Sequence, residues 1–373
     1  MDGDGFAVPT SRPSKGKQRA EDEVDAVDHL DEANEEYLGE LVNDPEIQKL
    51  LDEAEDLDVP ELTAHALKKL IVQLERRINA NDDMRIKYPN KPEKFMETEE
   101  QLHVAIKNLH QLSTAPALIP EFVRLNAVTS VLGLLGHDNT DIANDVVEFL
   151  QEMTEGDTLG ESVECSELLV EALLENDLCG KLMRNVLRLN EKKRDEADGV
   201  YNTLSIIENL TEASPQFADI IGQKTEIIAW LLKRVQTSGS DANKLYASEI
   251  LAILLQNNPQ NQKIFGKKNG VLSVLTVLSH FKKRDPTSIE EEETVENLYD
   301  CISSALMQDA NKGKFLTEDG IELMLLVVKA GKFARQCAVK VLGFALKDFP
   351  EGCNRLVESL GLRTMFAAFM KKG

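Results

Sequence analysis

Residues 125–155, LNAVTSVLGLLGHDNTDIANDVVEFLQEMTE, decide the fold because they contain two amphipathic helices joined by a short polar turn. Apolar residues recur at helical spacing in the first helix, namely Val128, Val131, Leu132 and Leu135. They form a single stripe in the second helix, namely Ile142, Val146, Phe149, Leu150 and Met153. Gly136 is expected to end the first helix and Thr140 to cap the second. A hairpin this apolar cannot bury both stripes alone, so similar units are expected on both sides.

The same unit recurs along the chain. Later second helices are predicted to begin at Leu178, Glu226, Gly270, Gly320 and Gly361. The last three steps between these starts are 44, 50 and 41 residues, which bracket the armadillo and HEAT period of about 40–47 residues. The longest step holds KKRDPTSIEEEE, residues 282–293, interpreted as a projecting charged loop. With no strand pattern in the sequence, we predict an all-α, armadillo/HEAT-like right-handed α-solenoid.

Composition divides the chain into three parts. Residues 21–58 hold seventeen Asp and Glu against one basic residue, so residues 1–58 are expected to be a disordered acidic tail. The basic cluster at Arg12, Lys15, Lys17 and Arg19 is a candidate import signal or simply a solvated patch. Residues 59–124 are predicted to be N-terminal helices that cap the solenoid, and residues 125–373 to be the repeats.

The last predicted repeat is incomplete, because it has a first and a second helix but no third. Four apolar residues would then lack the helix that should cover them: Leu362, Met365, Phe366 and Phe369. A terminal repeat normally presents a polar cap. We therefore expect this end to form a homodimer contact or to be covered by a further C-terminal segment.

Charge and cysteine content exclude several functions. The formal net charge of -23 disfavours direct nucleic-acid binding, which needs a clustered basic face, and favours basic protein partners. Five scattered cysteines without CxxC spacing indicate reduced thiols. The run DEAD at residues 195–198 lacks the preceding buried strand and the phosphate loop of a helicase, so it is interpreted as an acidic first turn of a long helix. No catalytic set, metal ligand set or cofactor site is predicted.

The candidate partner-binding site is an acidic strip on two predicted third helices. The first helix contributes Asp141, Asp145, Glu148 and Glu152. The next contributes Asp198, Asn202, Ser205, Glu208 and Glu212. Third helices line the concave binding face of an armadillo solenoid, so this strip is predicted to receive a Lys/Arg-rich segment. The alternative is that these residues are only the solvated faces of two helices.

Five stretches resemble the beta-catenin-like 1 family, a nuclear armadillo family. They are RIKYPNKPEKFME at 85–97, LNAVTSVLGLLGHDNTDI at 125–142, DEADGVYNTLSIIEN at 195–209, DANKLYASEILAILLQ at 241–256 and LGLRTMFAAFMK at 360–371. The resemblance covers about residues 62–372. Family members continue with further helices after the last block, so this chain is expected to lack the family's C-terminal part. Their N-terminal tails also carry a denser basic signal.

The resemblance implies a non-enzymatic scaffold of the spliceosome, associated with the NineTeen complex and located in the nucleus. It implies binding to the basic nuclear-localisation segment of a Myb-like splicing factor and, in vertebrates, to an antibody-diversifying cytidine deaminase. The alternative function is an importin-alpha-like transport adaptor. Such adaptors use a ladder of Trp and Asn on third helices, whereas here the single tryptophan, Trp230, lies on a second helix. The candidate asparagines are Asn144, Asn202, Asn209 and Asn297.

Overall fold

The structure is a computed structural model that describes residues 62–370. Every regular element in this range is a helix, with 20 α-helices, a few short 3-10 turns and no β-strand. The predictions for residues 1–58, including the acidic tail and the basic cluster of residues 12–19, fall outside the described residues. The all-α prediction is confirmed for the described part.

Two long helices precede the repeats. Helix α1 spans Ala64–Lys87 and helix α2 spans Met96–Leu109. The first of them ends before Pro89, and Pro92 opens the short 3-10 turn Pro92–Lys94 that leads into α2. Leu67, Ile71 and Leu74 on α1 are buried against the rest of the chain.

Five repeats of three helices follow in the described range. The first comprises α3 (Ile119–Arg124), α4 (Ala127–Gly133) and α5 (Thr140–Thr154), and the short α6 (Gly156–Gly160) leads onward. The second comprises α7 (Val163–Glu175), α8 (Leu178–Val186) and α9 (Arg194–Ala213). The third comprises α10 (Pro215–Lys224), α11 (Ile227–Val235) and α12 (Ala242–Leu255).

The last repeats continue the same order. The fourth comprises α13 (Pro259–Lys267), α14 (Gly270–Ser279) and α15 (Ile289–Ala305). The fifth comprises α16 (Asp309–Thr317), α17 (Gly320–Ala330) and α18 (Arg335–Leu346). Helices α19 (Pro350–Glu358) and α20 (Gly361–Phe369) occupy the first two positions of another unit. The recurrent unit inferred from the sequence is therefore present, with a short first helix before each predicted hairpin.

The third helices pack side by side in one row. Helix α2 packs against α5, and the row continues through α9, α12, α15 and α18. One hydrophobic core cluster runs beneath it from Leu67 to Leu356. Within residues 62–370 no single helix is long and apolar enough to cross a membrane, although the bent pair Pro116–Arg124 and Ala127–Gly136 would qualify by length and composition alone. The row of third helices is the surface on which the predicted site lies.

Asparagine and glycine pairs set the spacing between consecutive first helices. Asn261 on α13 donates from Nδ2 to the carbonyls of Ala218 and Leu254. Its side chain occupies the space that a Cβ on Gly222 would need. Asn311 on α16 lies in the same way against Gly266, one repeat later. A larger residue at either glycine would push the two helices apart, because each asparagine is buried and cannot move aside.

Two local predictions need correction. The N-cap of α5 is Asn139, whose Oδ1 accepts from the N–H of Asp141 at 3.0 Å, and Thr140 is already helical. Residues 282–293 are not one projecting loop, because helix α15 begins at Ile289. The remaining loop is tied to the next repeat through Asp285, which accepts from the N–H of Phe333 and from Lys332 Nζ. A cap and a loop contact of this kind depend on the path of the backbone, which a charge pattern does not specify.

Candidate partner-binding surface

The acidic stripe of α5 faces a stripe of two histidines and one lysine on α2. His103 Nδ1 lies 2.6 Å from Asp145 Oδ2, and Lys107 Nζ lies 2.6 Å from Glu148 Oε2. His110 Nδ1 lies 2.8 Å from Glu152 Oε2. We call these six residues the charged seam. Asp145, Glu148 and Glu152 of the predicted strip therefore already have partners within the chain.

The charged seam is partly enclosed. Asp145 is only 8% exposed, and Lys107 Nζ also lies 3.5 Å from its Oδ1. Burial lowers the pKa of Lys107, but the hydrogen bond and charge of Glu148, together with Asp145, raise it overall. The ring of His110 also contacts Phe149 edge-on at 5.7 Å between centroids. The seam thus fastens α2 to α5 and gives each of its carboxylates a side-chain partner.

The polar residues of α9 have very different exposures. Asp198 and Glu212 are exposed, and Asn202 is half-buried. Glu208 is only 1% exposed and accepts a hydrogen bond from the hydroxyl of Tyr246 on α12. Ser205 is also buried, at 5% exposure. The stripe predicted on α9 is therefore exposed at its ends and buried in its middle.

The exposed acids of the predicted strip are Asp141, Asp198 and Glu212. Asp141 occupies the first turn of α5, next to the cap. Asp198 lies in the first turns of α9, where Arg194 Nε is 4.0 Å from its Oδ2. Glu212 lies near the other end of α9. These three residues, with Glu148 at intermediate exposure, are the members of the strip that a basic segment reaches without displacing a buried contact.

The run at residues 195–198 has a structural role in the first turn of α9, as predicted. Glu196 is buried and accepts from the N–H of Asn190 and from Lys193 Nζ. These contacts, first with Lys193 and then with the Asn190 amide, lower the pKa of Glu196. Asn144 on α5 donates to the carbonyl of Asp195 at 3.1 Å. The carboxylate thus fixes the loop that leads into α9.

The asparagines of the third helices mainly join neighbouring helices. Asn209 donates toward Thr154 Oγ1 at 3.5 Å and Asn297 to Ser248 Oγ at 3.1 Å, in each case across to the preceding third helix. Trp230 is half-buried on α11, a second helix, and packs against the core. An importin-type adaptor needs asparagines directed at a bound peptide, so these contacts weigh against that alternative.

The acidic character of the row extends beyond the predicted strip. The five third helices from α5 to α18 carry sixteen Asp and Glu against four Lys and Arg. Six of these acids lie on α15, which the sequence-based site left out. The sequence did indicate acids here, in the run of four glutamates at residues 290–293, but that run was assigned to a loop. Within residues 62–370, no group of three or more His, Cys, Asp or Glu is arranged to hold a metal ion.

Repeats of three helices, with the third helices packed in a row, define an armadillo-type α-solenoid, a class of protein-interaction scaffold. The chain belongs to the family described as "Catenin-beta-like, Arm-motif containing nuclear", which matches residues 45–373. The family resemblance inferred from the sequence, and the armadillo-like fold that it implied, are thereby confirmed. The family description also names the nucleus as its location.

Two curated relatives are similar over most of the chain. Beta-catenin-like protein 1 of Homo sapiens is 45% identical over 314 residues, which are 83% of this chain and 55% of that protein. The homolog of Schizosaccharomyces pombe is 37% identical over 326 residues, 86% of this chain and 57% of that protein. The chain therefore spans little more than half the length of these relatives. The crystal structure of an engineered protein, 12% identical, has a similar fold, with a TM-score of 0.53 over 83% of this chain and 70% of that one.

Proposed function

We propose that the protein is a non-enzymatic scaffold of the spliceosome, associated with the NineTeen complex in the nucleus. Its partner is the Lys/Arg-rich nuclear-localisation segment of a Myb-like splicing factor. The observation that carries this proposal is the excess of acids along the row of third helices, sixteen against four bases. Opposite charge steers association and selects basic partners. Family membership supports the nuclear setting.

The predicted strip of Asp141, Asp145, Glu148, Glu152, Asp198, Asn202, Glu208 and Glu212 remains the proposed contact region. The residues of the strip contribute to binding in different ways. The exposed acids Asp141, Asp198 and Glu212 meet the basic segment directly. The charged seam positions α5 and contributes its field at longer range. Each exposed pair contributes only about 0.2–1 kcal/mol, so several pairs must act together.

The test reverses three exposed acids of the strip in one variant, Asp141→Lys, Asp198→Lys and Glu212→Lys. Binding of a Lys/Arg-rich peptide is measured by calorimetry at low and at physiological salt. We expect affinity at low salt to fall about tenfold or more, and the difference between variant and wild type to shrink as salt screens the charges.

The matched control reverses three exposed acids on a first helix of the same chain, Glu164→Lys, Glu167→Lys and Glu171→Lys on α7. It changes the net charge by the same amount away from the row of third helices. Equal loss in both variants would mean that only net charge matters and would reject the strip as the site. Unchanged affinity in the folded strip variant would reject it as well.

The spliceosomal part of the proposal is tested separately. The tagged chain is used to purify partners from nuclear extract, with the strip variant as the comparison. We expect NineTeen-complex proteins with the wild type and a reduced yield with the variant. Recovery of transport factors instead would favour the importin-alpha-like alternative.

We further propose that the chain forms a homodimer through α20. This helix exposes Leu362, Phe366 and Phe369 by 48%, 65% and 82%. An exposed apolar face of this kind is typical of an interaction surface. A second copy of the chain presents an identical face, which gives a self-complementary contact.

A further inference from the structure

Two tyrosines and a buried glutamate form a cluster between α9 and α12. The rings of Tyr201 and Tyr246 lie 4.8 Å apart between centroids, at 50° to each other. Glu208 follows Tyr201 by two helical turns and accepts from the hydroxyl of Tyr246. We call Tyr201, Tyr246 and Glu208 the Tyr–Glu cluster. It lies on the row of third helices, one helix beyond the charged seam.

The carboxylate of Glu208 has unused acceptor capacity. Its Oε2 bonds Tyr246, whereas its Oε1 has no hydrogen-bond partner among residues 62–370 and is shielded from solvent. A buried carboxylate oxygen without a donor is costly, because burial removes its hydration and nothing replaces it. A cationic donor that reached Oε1 would recover that cost. This property separates Glu208 from the carboxylates of the charged seam, which have donors from α2.

The surroundings of Glu208 also favour a cation. Burial, followed by the negative charges of Glu208 and Glu249, raises the pKa of Tyr201. Burial and Glu208 raise the pKa of Tyr246. The cluster therefore holds a negative potential beside two aromatic faces, the two features that attract a guanidinium group. Tyr201 is half-buried, whereas Tyr246 is buried, so Tyr201 is the more accessible of the two rings and contacts Tyr246, which bonds Glu208.

We propose that the Tyr–Glu cluster is the subsite that binds one arginine of the basic partner segment, with Tyr201 rotating to admit the guanidinium group to Glu208. The planar head group stacks on a tyrosine face and donates to Glu208 Oε1. This inference rests on the proposed function, since it names the residue class that the site selects. It predicts selectivity for arginine over lysine, which the exposed acids of the strip do not provide.

The experiment uses the full chain and two peptides of equal charge, one with arginine and one with lysine at every basic position. Calorimetry compares wild type with Glu208→Gln, which keeps an acceptor for Tyr246 but removes the charge. The matched control is Glu171→Gln, an exposed acid on α7, away from the row of third helices. We expect Glu208→Gln to weaken arginine-peptide binding about tenfold or more. We expect it to abolish the preference for arginine, and Glu171→Gln to change the affinity less than twofold.

Two further variants test the role of the ring. Tyr201→Phe keeps the aromatic face and should retain arginine selectivity, whereas Tyr201→Ala should lose it. Because Tyr201 is half-buried, these variants also serve if Glu208→Gln does not fold. A thermal unfolding curve for each variant establishes that loss of binding is not loss of structure.

The outcomes separate the two proposals. Basic peptides that bind wild type with no preference for arginine, and equally in Glu208→Gln, would overturn the Tyr–Glu cluster and leave the proposed function standing. If no basic peptide binds wild type, the proposed function fails. The cluster is then tested alone with N-acetyl-arginine amide, followed by the NMR shifts of the tyrosine rings. Unperturbed tyrosine signals at saturating probe would overturn it.

Discussion

The two ends of the described solenoid differ in what they expose to solvent. At one end α2 covers α5 with the charged seam, in which each carboxylate has a histidine or lysine nitrogen within hydrogen-bond distance. At the other end α20 exposes large apolar side chains, of which Phe369 is 82% exposed. The apolar face of a terminal solenoid repeat needs a covering element, and a helix with a polar outer face, such as α2, supplies one within the chain. Acidity in a sequence therefore does not by itself mark an available binding surface, because α2 already contacts the acids of α5.

The largest effect is expected from breaking the seam at its most buried member. Asp145→Lys places a cation between His103 and Lys107 at a site that is 8% exposed. Loss of the buried pairing together with the new repulsion should reduce the free energy of unfolding by about 3 kcal/mol. Denaturant unfolding followed by circular dichroism measures the change. The exposed control Asp141→Lys should stay within about 0.5 kcal/mol of wild type.

A small change for Asp145→Lys would mean that the seam contributes little to stability and that its acids are open to partners. A large change would show that charge reversal at Asp145 cannot serve as a test of binding, because it also disturbs the fold.

The second prediction concerns the apolar end. Phe366→Ser combined with Phe369→Ser removes two exposed rings from α20. Fully burying a phenylalanine contributes about 1.5–3 kcal/mol, so the dissociation constant of the proposed dimer should rise at least about tenfold. Sedimentation equilibrium measures it. The control pair, Leu187→Ser with Ile289→Ser, removes two similarly exposed side chains far from α20 in the sequence. A wild-type protein that remains monomeric at high concentration contradicts the proposal.

Sequence pattern predicted the helices and their period because both depend on neighbours three to four residues apart. It did not predict the charged seam, because His103, Lys107 and His110 meet carboxylates about forty residues away. A signal was nevertheless available, since these histidines and the lysine recur at spacings close to those of their acidic partners. The burial of Glu208 was missed for the same reason, since it depends on Tyr246 on another helix. The fold could therefore be predicted from the spacing of apolar residues, whereas the burial and pairing of each acid could not.

The third prediction compares equivalent turns near the two ends. Asn126, before α4, and Leu360, before α20, both have left-handed backbone, with φ of 56° and 55°. Asparagine tolerates this conformation, whereas a leucine there is strained by about 1–2 kcal/mol. Because Leu360 is 73% exposed, Leu360→Asn should raise the free energy of unfolding by about 1 kcal/mol in denaturant titrations. The reciprocal variant Asn126→Leu should lower it by a similar amount, and a neutral result in both would show that these turns relax without cost.

The smallest expected effect is on the pH dependence of stability at the end that α2 covers. His137, in the turn before α5, accepts from the N–H of Asn139 at Nδ1 and donates from Nε2 to Asn81 Oδ1, at 3.1 and 3.0 Å. Asn81 is held in this orientation because its Nδ2 donates to Thr98 Oγ1. Protonation of Nδ1 would remove the acceptor for Asn139. Burial is the largest influence on the pKa of His137 and lowers it, the Asn139 carbonyl 3.3 Å from Nδ1 raises it, and the charge of Arg85 lowers it. The pKa is lowered overall, which favours the neutral imidazole.

A lowered pKa in the folded state has a defined consequence for stability. The unfolded chain binds a proton at His137 near pH 6.5, whereas the folded chain resists it. Stability from this group is therefore present above about pH 6.5 and is lost as pH falls through the lower folded pKa. Urea unfolding at pH 7.5, 6.5 and 5.5 should show a shallower loss for His137→Gln than for wild type. The exposed control His65→Gln should follow wild type. Parallel curves for all three proteins would mean that His137 accepts its proton without disturbing the turn, and that the acid sensitivity of this end arises elsewhere in the chain.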